Sequence, residues 1–333
     1  MRLGLAGGAS DVAPYCDLYG GHVLNATINM FSHCHLEPGQ GGLVEFHSLD
    51  SGETFTGTAV NRLALDGDLR LHKAVYNRIV SDFCSAQPPS VRLWTHSDAP
   101  TGAGLGSSST LVVAMLRAYM EWLKFPLGDY DLAQLAYQIE RVDAGLPGGR
   151  QDQYAATFGG FNFMEFYVDN RVVVNPLRVR HSIVSELESC LLLYFTGVTH
   201  ASSHIIEEQI ANIRNRDSWS IEATHELKRD AVLMKESLLR GNIREVAHVL
   251  GRSWEAKKSL AAGITTTTID QAYTSAIQAG AWAGKVSGAG GGGFVIFMMD
   301  PLMKYAVRQA LQKCGGTVYP FQFVEHGAYA WSV

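Results

Sequence analysis

The stretch Pro100-Thr101-Gly102-Ala103-Gly104-Leu105-Gly106-Ser107-Ser108-Ser109 is the part of the sequence on which a fold prediction can be built. It leads directly into residues 107–124, where apolar side chains recur at the spacing of an amphipathic helix. Glycines let backbone N–H groups approach an anion closely, and the start of a helix adds unsatisfied N–H donors and a favourable dipole. The serines add hydroxyl groups for a phosphate or a hard cation. We therefore predict a phosphate-binding loop.

Other structures can contain a glycine-rich segment before a helix. This one is not a P-loop, because Gly106 is followed by serines rather than by Lys and then Ser or Thr. A flexible loop with a serine N-cap is the alternative, although a cap needs one serine and no array of glycines. A dinucleotide-dependent dehydrogenase would carry G-x-G-x-x-G after its first strand, and Gly4, Gly7 and Gly8 do not have that spacing.

The composition is that of an ordinary globular enzyme. The chain has 333 residues, enough for two domains, and its 27 basic and 32 acidic residues form no long run of either sign, which argues against a nucleic-acid partner. Its five cysteines are scattered without C-x-x-C spacing, as expected of reduced thiols. Neither a signal peptide nor an apolar stretch of about 20 residues stands out. We expect a cytoplasmic protein without a membrane partner.

The periodicity changes along the chain and divides it into two predicted domains, residues 1–183 and 184–333. Short β-like runs dominate the first part, and long helices occupy much of the second. Beyond the first helix, the predicted elements are a helix over residues 129–143, strands over 158–168 and 171–179, a strand over 191–195, helices over 203–260, and strands over 293–298 and 319–323.

A second glycine cluster, residues 285–293, precedes a predicted apolar strand. Glycine beside a strand allows another backbone or a ligand to approach closely, and a tight turn is the alternative.

Two carboxylates also stand out. Glu140 lies toward the C-terminal end of its predicted helix, where the dipole disfavours a negative charge unless a cation compensates it, and a solvated carboxylate is the alternative. Asp152 follows a glycine-rich segment and is expected in a loop, where it could also cap a turn.

The chain resembles the GHMP kinases, a family of ATP-dependent kinases of sugars, mevalonate, homoserine and related metabolites. Residues 2–21, 100–109 and 285–293 are similar to the first, second and third motifs of that family, in that order. The resemblance covers nearly the whole chain. It implies a two-domain α+β fold, with an N-terminal domain like domain 2 of ribosomal protein S5, a ferredoxin-like C-terminal domain and the active site between them.

The resemblance also implies roles for individual residues. Asp152 matches the catalytic aspartate, which takes or aligns the proton of the attacking hydroxyl, and Arg2 matches an arginine close to the transferred phosphoryl group, although a surface arginine at a frayed terminus is the alternative. Ser108 and Glu140 match the protein ligands of Mg²⁺. The implied nucleotide contacts are Pro100, Gly102, Gly104, Leu105, Gly106, Ser107, Ser108, Ser109, Gly288 and Gly290.

The implied acceptor is a sugar phosphate. Residues 148–154 and 196–199 are similar to the branch that phosphorylates D-glycero-α-D-manno-heptose 7-phosphate at its C1 hydroxyl, giving the 1,7-bisphosphate. Galactokinase-like members have Glu-His where this chain has Gly8 and Ala9, which enlarges the pocket. The alternatives are a kinase of an unphosphorylated sugar such as fucose and an ATP-dependent sensor without catalysis. A homodimer is compatible with the resemblance.

Residues for binding the acceptor follow from the same motifs. Gly8, Asp11, Arg150 and Gly288 are the implied substrate contacts, with Asp11 on the sugar hydroxyls. Arg150 is the first choice for the cation that binds the phosphate of the substrate. The other candidates are Lys285, His200 and the pair Lys257-Lys258.

Overall fold

The computed structural model describes residues 1–85, 87–100, 102–199 and 202–333. The strands are β1 (Arg2–Ala6), β2 (Gly21–Thr27), β3 (Ser32–Pro38), β4 (Leu43–Ser48), β5 (Thr54–Thr58), β6 (Val91–Ser97), β7 (Phe161–Phe166), β8 (Val172–Pro176), β9 (Leu191–Phe195), β10 (Ala281–Val286), β11 (Phe294–Met299) and β12 (Thr317–Tyr319). The helices are α1 (Tyr15–Tyr19), α2 (Arg70–Phe83), α3 (Ser107–Leu123), α4 (Asp129–Tyr137), α5 (Gln151–Phe158), α6 (His181–Cys190), α7 (Ser202–Arg214), α8 (Ser218–Arg240), α9 (Ile243–Lys258), α10 (Thr267–Gln278) and α11 (Lys304–Gln312). A π-helical turn, Gln138–Asp143, continues α4.

These strands form three four-stranded sheets in the described part of the chain. The first has the order β1-β2-β7-β8 and is antiparallel throughout. The second has the order β3-β6-β4-β5 and contains one parallel pair, β4 with β6. The third, β10-β11-β9-β12, belongs to the second half of the chain and is antiparallel. This mixture of sheets and helices is the predicted α+β class.

One hydrophobic core joins the first and third sheets through the long helices α8 and α9. Leu3 and Leu24 of the first sheet belong to the same buried cluster as Ile296 of the third, together with Met234 and Leu250 from the helices. All five side chains are at most 1% exposed. Because β1 is paired in this core, Arg2 is buried rather than frayed, and the amino group of Met1 donates to the carbonyl of Met30 at 2.7 Å.

Most predicted elements are confirmed, including the helix that follows the glycine loop and the strand over residues 191–195. The helix predicted over residues 129–143 spans those residues, as α4 and the π-helical turn that continues it. Two predictions are wrong. Asp152 lies in α5 rather than in a loop. The last strand ends at Tyr319, because Pro320 has no N–H to continue the pairing with β9.

The end of the chain returns to the first half of the molecule. Residues 320–333, the C-terminal tail, contain no helix or long strand, yet Phe323 bridges to Ile28 and Ala328 N–H donates to the carbonyl of Ala156 at 2.8 Å. The predicted division at residue 183 falls inside α6 and stays a prediction. No helix among the described residues combines the length and the hydropathy needed to cross a bilayer.

Candidate active site

The two glycine clusters pack against each other, backbone to backbone. Phe294 N–H donates to the carbonyl of Ala103 at 3.0 Å, and the hydroxyl of Ser287 donates to the carbonyl of Gly104 at 2.9 Å. A Cβ atom on Gly104 would lie 2.3 Å from the carbonyl oxygen of Ser287, and one on Gly288 would lie 2.5 Å from Gly104 Cα. Larger residues would push these loops apart, which explains why both are rich in glycine.

Helix α3 begins at Ser107 without a side-chain cap. Its N-cap is Gly106, which has φ +73° and supplies no side chain to accept from the first N–H groups. Those N–H donors therefore point into the cleft beside the glycine loop, where an anion can accept from them. The side chains of Ser107, Ser108 and Ser109 line the same cleft. The local geometry is that of the predicted phosphate site.

Arg2 and Asp152 form an ion pair at this loop. Arg2 Nε donates to Asp152 Oδ1 at 2.6 Å, and Arg2 Nη1 donates to the carbonyl of Gly104 at 2.8 Å. The Arg2 side chain is 6% exposed and that of Asp152 is 19% exposed. A Cβ atom on Gly106 would lie 3.0 Å from Asp152 Cγ, so the carboxylate sits directly against the loop. Among the described residues, Oδ2 of Asp152 accepts no hydrogen bond from a side chain or backbone.

Asp11 positions the helix that carries Asp152. Its Oδ2 accepts from the backbone N–H groups of Arg150 at 3.0 Å and Gln151 at 3.1 Å, at the start of α5. Its Oδ1 accepts from Gln151 Nε2 at 3.2 Å. Burial raises the pKa of Asp11, and the nearby charge of Asp152 adds to the effect. Asp11 lines the cleft, and its contact with sugar hydroxyls stays a prediction.

Glu140 lies in the π-helical turn, is 2% exposed and also lines the cleft. Its Oε2 accepts from Ser109 Oγ and from Gln153 Nε2, both at 2.6 Å, and its Oε1 is 3.3 Å from Arg141 Nη1. The direct partner is thus Ser109 rather than Ser108, whose half-buried hydroxyl faces the cleft.

A magnesium ion fits this chemistry. Glu140 offers a buried carboxylate and Ser108 a hydroxyl, both hard oxygen donors on one cleft. In the described ranges, no group of three or more His, Cys, Asp or Glu side chains could hold an ion. A site with two protein ligands suits Mg²⁺, which keeps waters and phosphate oxygens as its other ligands.

The first-choice cation for the substrate phosphate does not line the cleft, whereas two of the other candidates do. The guanidinium of Arg150 does not line it, because Nη2 donates to Asp17 and to Asn170, each at 2.8 Å. Lys285 and Lys257 do line it. Burial lowers the pKa of Lys285 to about 8, and its amine donates to the carbonyl of Leu5 at 3.1 Å.

Lys257 is 4% exposed and donates to the carbonyl of Gly288. Burial lowers its pKa well below the usual lysine value, and the charges of Lys285 and Arg2 add to the effect. Lys258 pairs with Glu255 at 2.8 Å and does not line the cleft. His200 lies outside the described residues.

Three of the expected nucleotide contacts do not line the cleft. Leu105 is fully buried, and its carbonyl accepts from the N–H of Arg2 at 3.1 Å. A Cβ atom on Gly290 would lie 2.7 Å from the carbonyl oxygen of Ile264, so this glycine packs against the C-terminal half. Pro100 is exposed at the start of the loop. Gly8, Gly102, Gly104, Gly106 and Gly288 all line the cleft.

Several cleft residues were not found from the sequence. Arg141 lies beside Glu140 and donates to the carbonyls of Pro147 and Gly149, each at 3.3 Å. A Cβ atom on Gly148 would lie 2.4 Å from Cζ of Arg141. A glycine at this position therefore leaves space for the guanidinium. In the sequence, the one indication that Arg141 belongs to the site was its position next to Glu140. Gln151 and Gln209, from α5 and α7, also line the cleft, and no motif contains Gln209.

Comparison with known proteins gives consistent matches. The models named GHMP kinases N terminal domain and GHMP kinases C terminal match residues 70–160 and 234–316. The D-glycero-alpha-D-manno-heptose 7-phosphate kinase of Campylobacter jejuni is 47% identical over 333 residues, which cover 100% of this chain and 97% of that protein. The L-fucokinase/L-fucose-1-P guanylyltransferase of Bacteroides fragilis is 26% identical, and the match covers 93% of this chain but 35% of that protein.

Solved structures extend these matches. A D-glycero-D-manno-heptose 1-phosphate kinase from Bacteroides thetaiotaomicron has a TM-score of 0.85 and 45% identity, covering 100% of this chain and 97% of that one. The mevalonate kinase of Methanococcus jannaschii has a TM-score of 0.75 at 19% identity, covering 97% and 96%, and shares the fold.

Proposed function

The chain belongs to the GHMP kinase family, and on that premise we propose that it transfers the γ-phosphoryl group of ATP to the C1 hydroxyl of D-glycero-α-D-manno-heptose 7-phosphate, giving the 1,7-bisphosphate. The observation that carries this proposal is the Arg2–Asp152 pair, held at 2.6 Å against the glycine loop. The 47% identity with a heptose 7-phosphate kinase along the whole chain supports the choice of acceptor.

The glycine loop and the uncapped start of α3 bind the phosphates of ATP through backbone N–H groups. Ser108 and Glu140 would hold Mg²⁺, which would neutralise phosphate charge when bound with the nucleotide. Hydrogen bonds from Ser109 and Gln153 keep the Glu140 carboxylate in one orientation. Phosphoryl transfer depends mainly on positioning and charge, and these contacts supply both.

Asp152 receives or aligns the proton of the attacking hydroxyl through Oδ2, since Arg2 occupies Oδ1. The guanidinium of Arg2 is fixed by Gly104 and offsets negative charge that develops on the transferred group. Asp11 accepts from the first backbone N–H groups of α5 and so fixes the position of Asp152 in the cleft.

An assay of ADP release with Mg²⁺ over a panel of acceptors tests the reaction. The panel contains heptose 7-phosphate, heptose 1-phosphate, fucose, galactose and mevalonate, since the names of the two similar heptose kinases differ in the phosphate they mention. We expect turnover of the 7-phosphate, with a product that carries phosphate at both C1 and C7 by ³¹P NMR. Activity on a neutral sugar alone contradicts the proposal, and ATP binding without turnover favours the sensor.

The Asp152→Asn variant tests the assigned chemistry. We expect kcat to fall roughly 10²–10⁴-fold, the usual contribution of a positioned acid or base, while ATP still binds. Undiminished turnover would remove Asp152 from the mechanism. The cytoplasmic location and the homodimer stay predictions, and light scattering of the purified protein measures the latter.

A further inference from the structure

Two polar side chains on the C-terminal side of the cleft have no part in the mechanism above. Gln209 of α7 is 8% exposed, and its Nε2 has no hydrogen-bond partner among the described residues. Lys257 of α9 is 4% exposed, and its one hydrogen bond in the described ranges goes to the carbonyl of Gly288. A buried donor without a partner costs about 1–3 kcal/mol. A ligand that accepts from both groups would remove that cost.

The N-terminal half of the chain contributes acceptors to the same cleft. They include Asp11, Asp152 and Gln151, whose Oε1 is buried without a partner in the described part of the chain. Carboxylate and amide oxygens accept from sugar hydroxyls, whereas an ammonium and an amide N–H donate to an anion. The cleft therefore combines acceptors for hydroxyls from the N-terminal half with donors for an anion from α7 and α9.

The other cations of the cleft are already engaged. Arg2 is paired with Asp152, Lys285 donates to carbonyls of β1, and Arg141 binds carbonyls and Glu140. The guanidinium of Arg150 points away to Asp17. Of the two lysines that line the cleft, Lys257 makes one hydrogen bond among the described residues and Lys285 makes two, so Lys257 has more N–H donors left for an anion that enters with the acceptor.

We propose that Lys257 and Gln209 form the subsite for the phosphate group carried by the sugar substrate, while Gln151 Oε1 accepts from a hydroxyl of the same sugar. This assignment rests on the proposed function. It gives the second phosphate donors other than the N–H groups of the glycine loop, which the phosphates of ATP occupy. A bound phosphate would also compensate the burial of the Lys257 amine, which shares its surroundings with Lys285 and Arg2.

Steady-state kinetics distinguish binding of the substrate phosphate from a general effect on activity. The rates are measured with heptose 7-phosphate and with unphosphorylated heptose, at saturating ATP and Mg²⁺. For Lys257→Met, we expect KM for the 7-phosphate to rise about 10–100-fold, the loss of one charged hydrogen bond, with kcat/KM for unphosphorylated heptose within about threefold of the parent. Gln209→Leu should raise the same KM by about 5–10-fold. Lys258→Met is the matched control, because this neighbour on α9 pairs with Glu255 outside the cleft, and it should change neither value.

Gln209→Glu gives a second test should Lys257→Met fold poorly, since a carboxylate in the subsite repels phosphate and should raise KM further than the Leu variant does. An unchanged KM for the 7-phosphate in the Gln209 variants, or an equal loss on both substrates, overturns the subsite while the proposed function stands. A parent enzyme that turns over fucose but not heptose 7-phosphate overturns the proposed function and the subsite together.

Discussion

Gln153 shows how a single buried residue orients the catalytic surroundings. It is fully buried, and its Nε2 donates to Glu140 Oε2 at 2.6 Å and to Ser109 Oγ at 3.0 Å. Three polar groups from α3, α5 and the π-helical turn therefore meet away from water. Hydrogen bonds between such buried groups restrict the orientation of the carboxylate.

We expect Gln153→Leu to weaken both stability and metal use. The buried Glu140 carboxylate loses one of its donors, which should lower the free energy of unfolding by about 1–3 kcal/mol and raise the Mg²⁺ concentration for half-maximal activity. Urea unfolding and a Mg²⁺ titration of the rate measure the two effects. Gln134→Leu is the control, because that exposed side chain accepts only from the hydroxyl of Tyr154 among the residues that the structure describes. A normal Mg²⁺ dependence in Gln153→Leu would show that the network does not position the ligand.

At the scale of elements, the contact between the two glycine clusters gives the sharpest prediction. Gly104→Ala places a methyl group 2.3 Å from the carbonyl oxygen of Ser287 at a φ of +85°, so the loops must separate. Gly52→Ala is the matched control, since Gly52 has φ +74° and nothing within 4 Å of its Cβ position. Strain alone should cost the control about 1–2 kcal/mol. We expect a larger drop in Tm for Gly104→Ala, together with a higher KM for ATP, and equal drops in Tm would contradict the close contact.

Helix α2 contains a pH-sensitive residue. His72 packs against the second sheet, its Nε2 is 2.8 Å from Thr95 Oγ1, and burial lowers its pKa to about 4. Between pH 6.5 and 4 the unfolded chain binds a proton at this residue and the native protein does not. Stability is therefore unaffected above pH 6.5 and falls as the pH drops through that window, by about 3 kcal/mol at pH 4.

The variant His72→Gln keeps a polar side chain and removes the titration. We expect its free energy of unfolding to fall less steeply between pH 6.5 and 4 than that of the parent, with denaturant curves at several pH values as the measurement. Parallel pH profiles for the two proteins would show that His72 does not cause the acid sensitivity.

Elements with strong local signals could be predicted from the sequence, and those stabilised by distant residues could not. The period of residues 107–124 is sufficient for α3. In contrast, α5 has eight residues and starts after a glycine run, and its first N–H groups are capped by Asp11, which is 139 positions from Arg150. No local sequence pattern indicates that contact, and Asp152 was therefore expected in a loop.

The same distinction applies to the site. Arg2 and Asp152 were predicted because they fall in segments that resemble motifs of a known family, and Glu140 because it matches the metal ligand of that family. Arg141 and Gln209 lie outside those motifs, and they reach the cleft through the π-helical turn and through the packing of α7. Arg150 illustrates the reverse error, since it belongs to a motif but contributes its backbone N–H rather than its guanidinium.

At the scale of the whole molecule, the C-terminal tail connects the two halves at the catalytic helix. Val324 exchanges backbone hydrogen bonds with Thr27 and Gly160 at 3.0 and 3.1 Å, and the ring of Phe323 lies 4.7 Å from that of Phe161. Ala328 N–H then donates to Ala156 in α5. The tail therefore supports the first sheet and the far end of α5, whose first turn contains Asp152.

Two truncations test this support. Removing residues 320–333 exposes Phe161 and leaves the bonds of Thr27 and Gly160 unmade, and the loss of these apolar and backbone contacts should cost about 5 kcal/mol. We expect a Tm about 5–10 °C lower and a reduced kcat. Removing only residues 329–333 is the control, because Tyr329 and Trp331 are 73% and 68% exposed, and Tm should change by about 2 °C or less. The longer truncation removes every tail contact with the N-terminal half. An unchanged Tm would mean that these contacts do not stabilise the first sheet and α5.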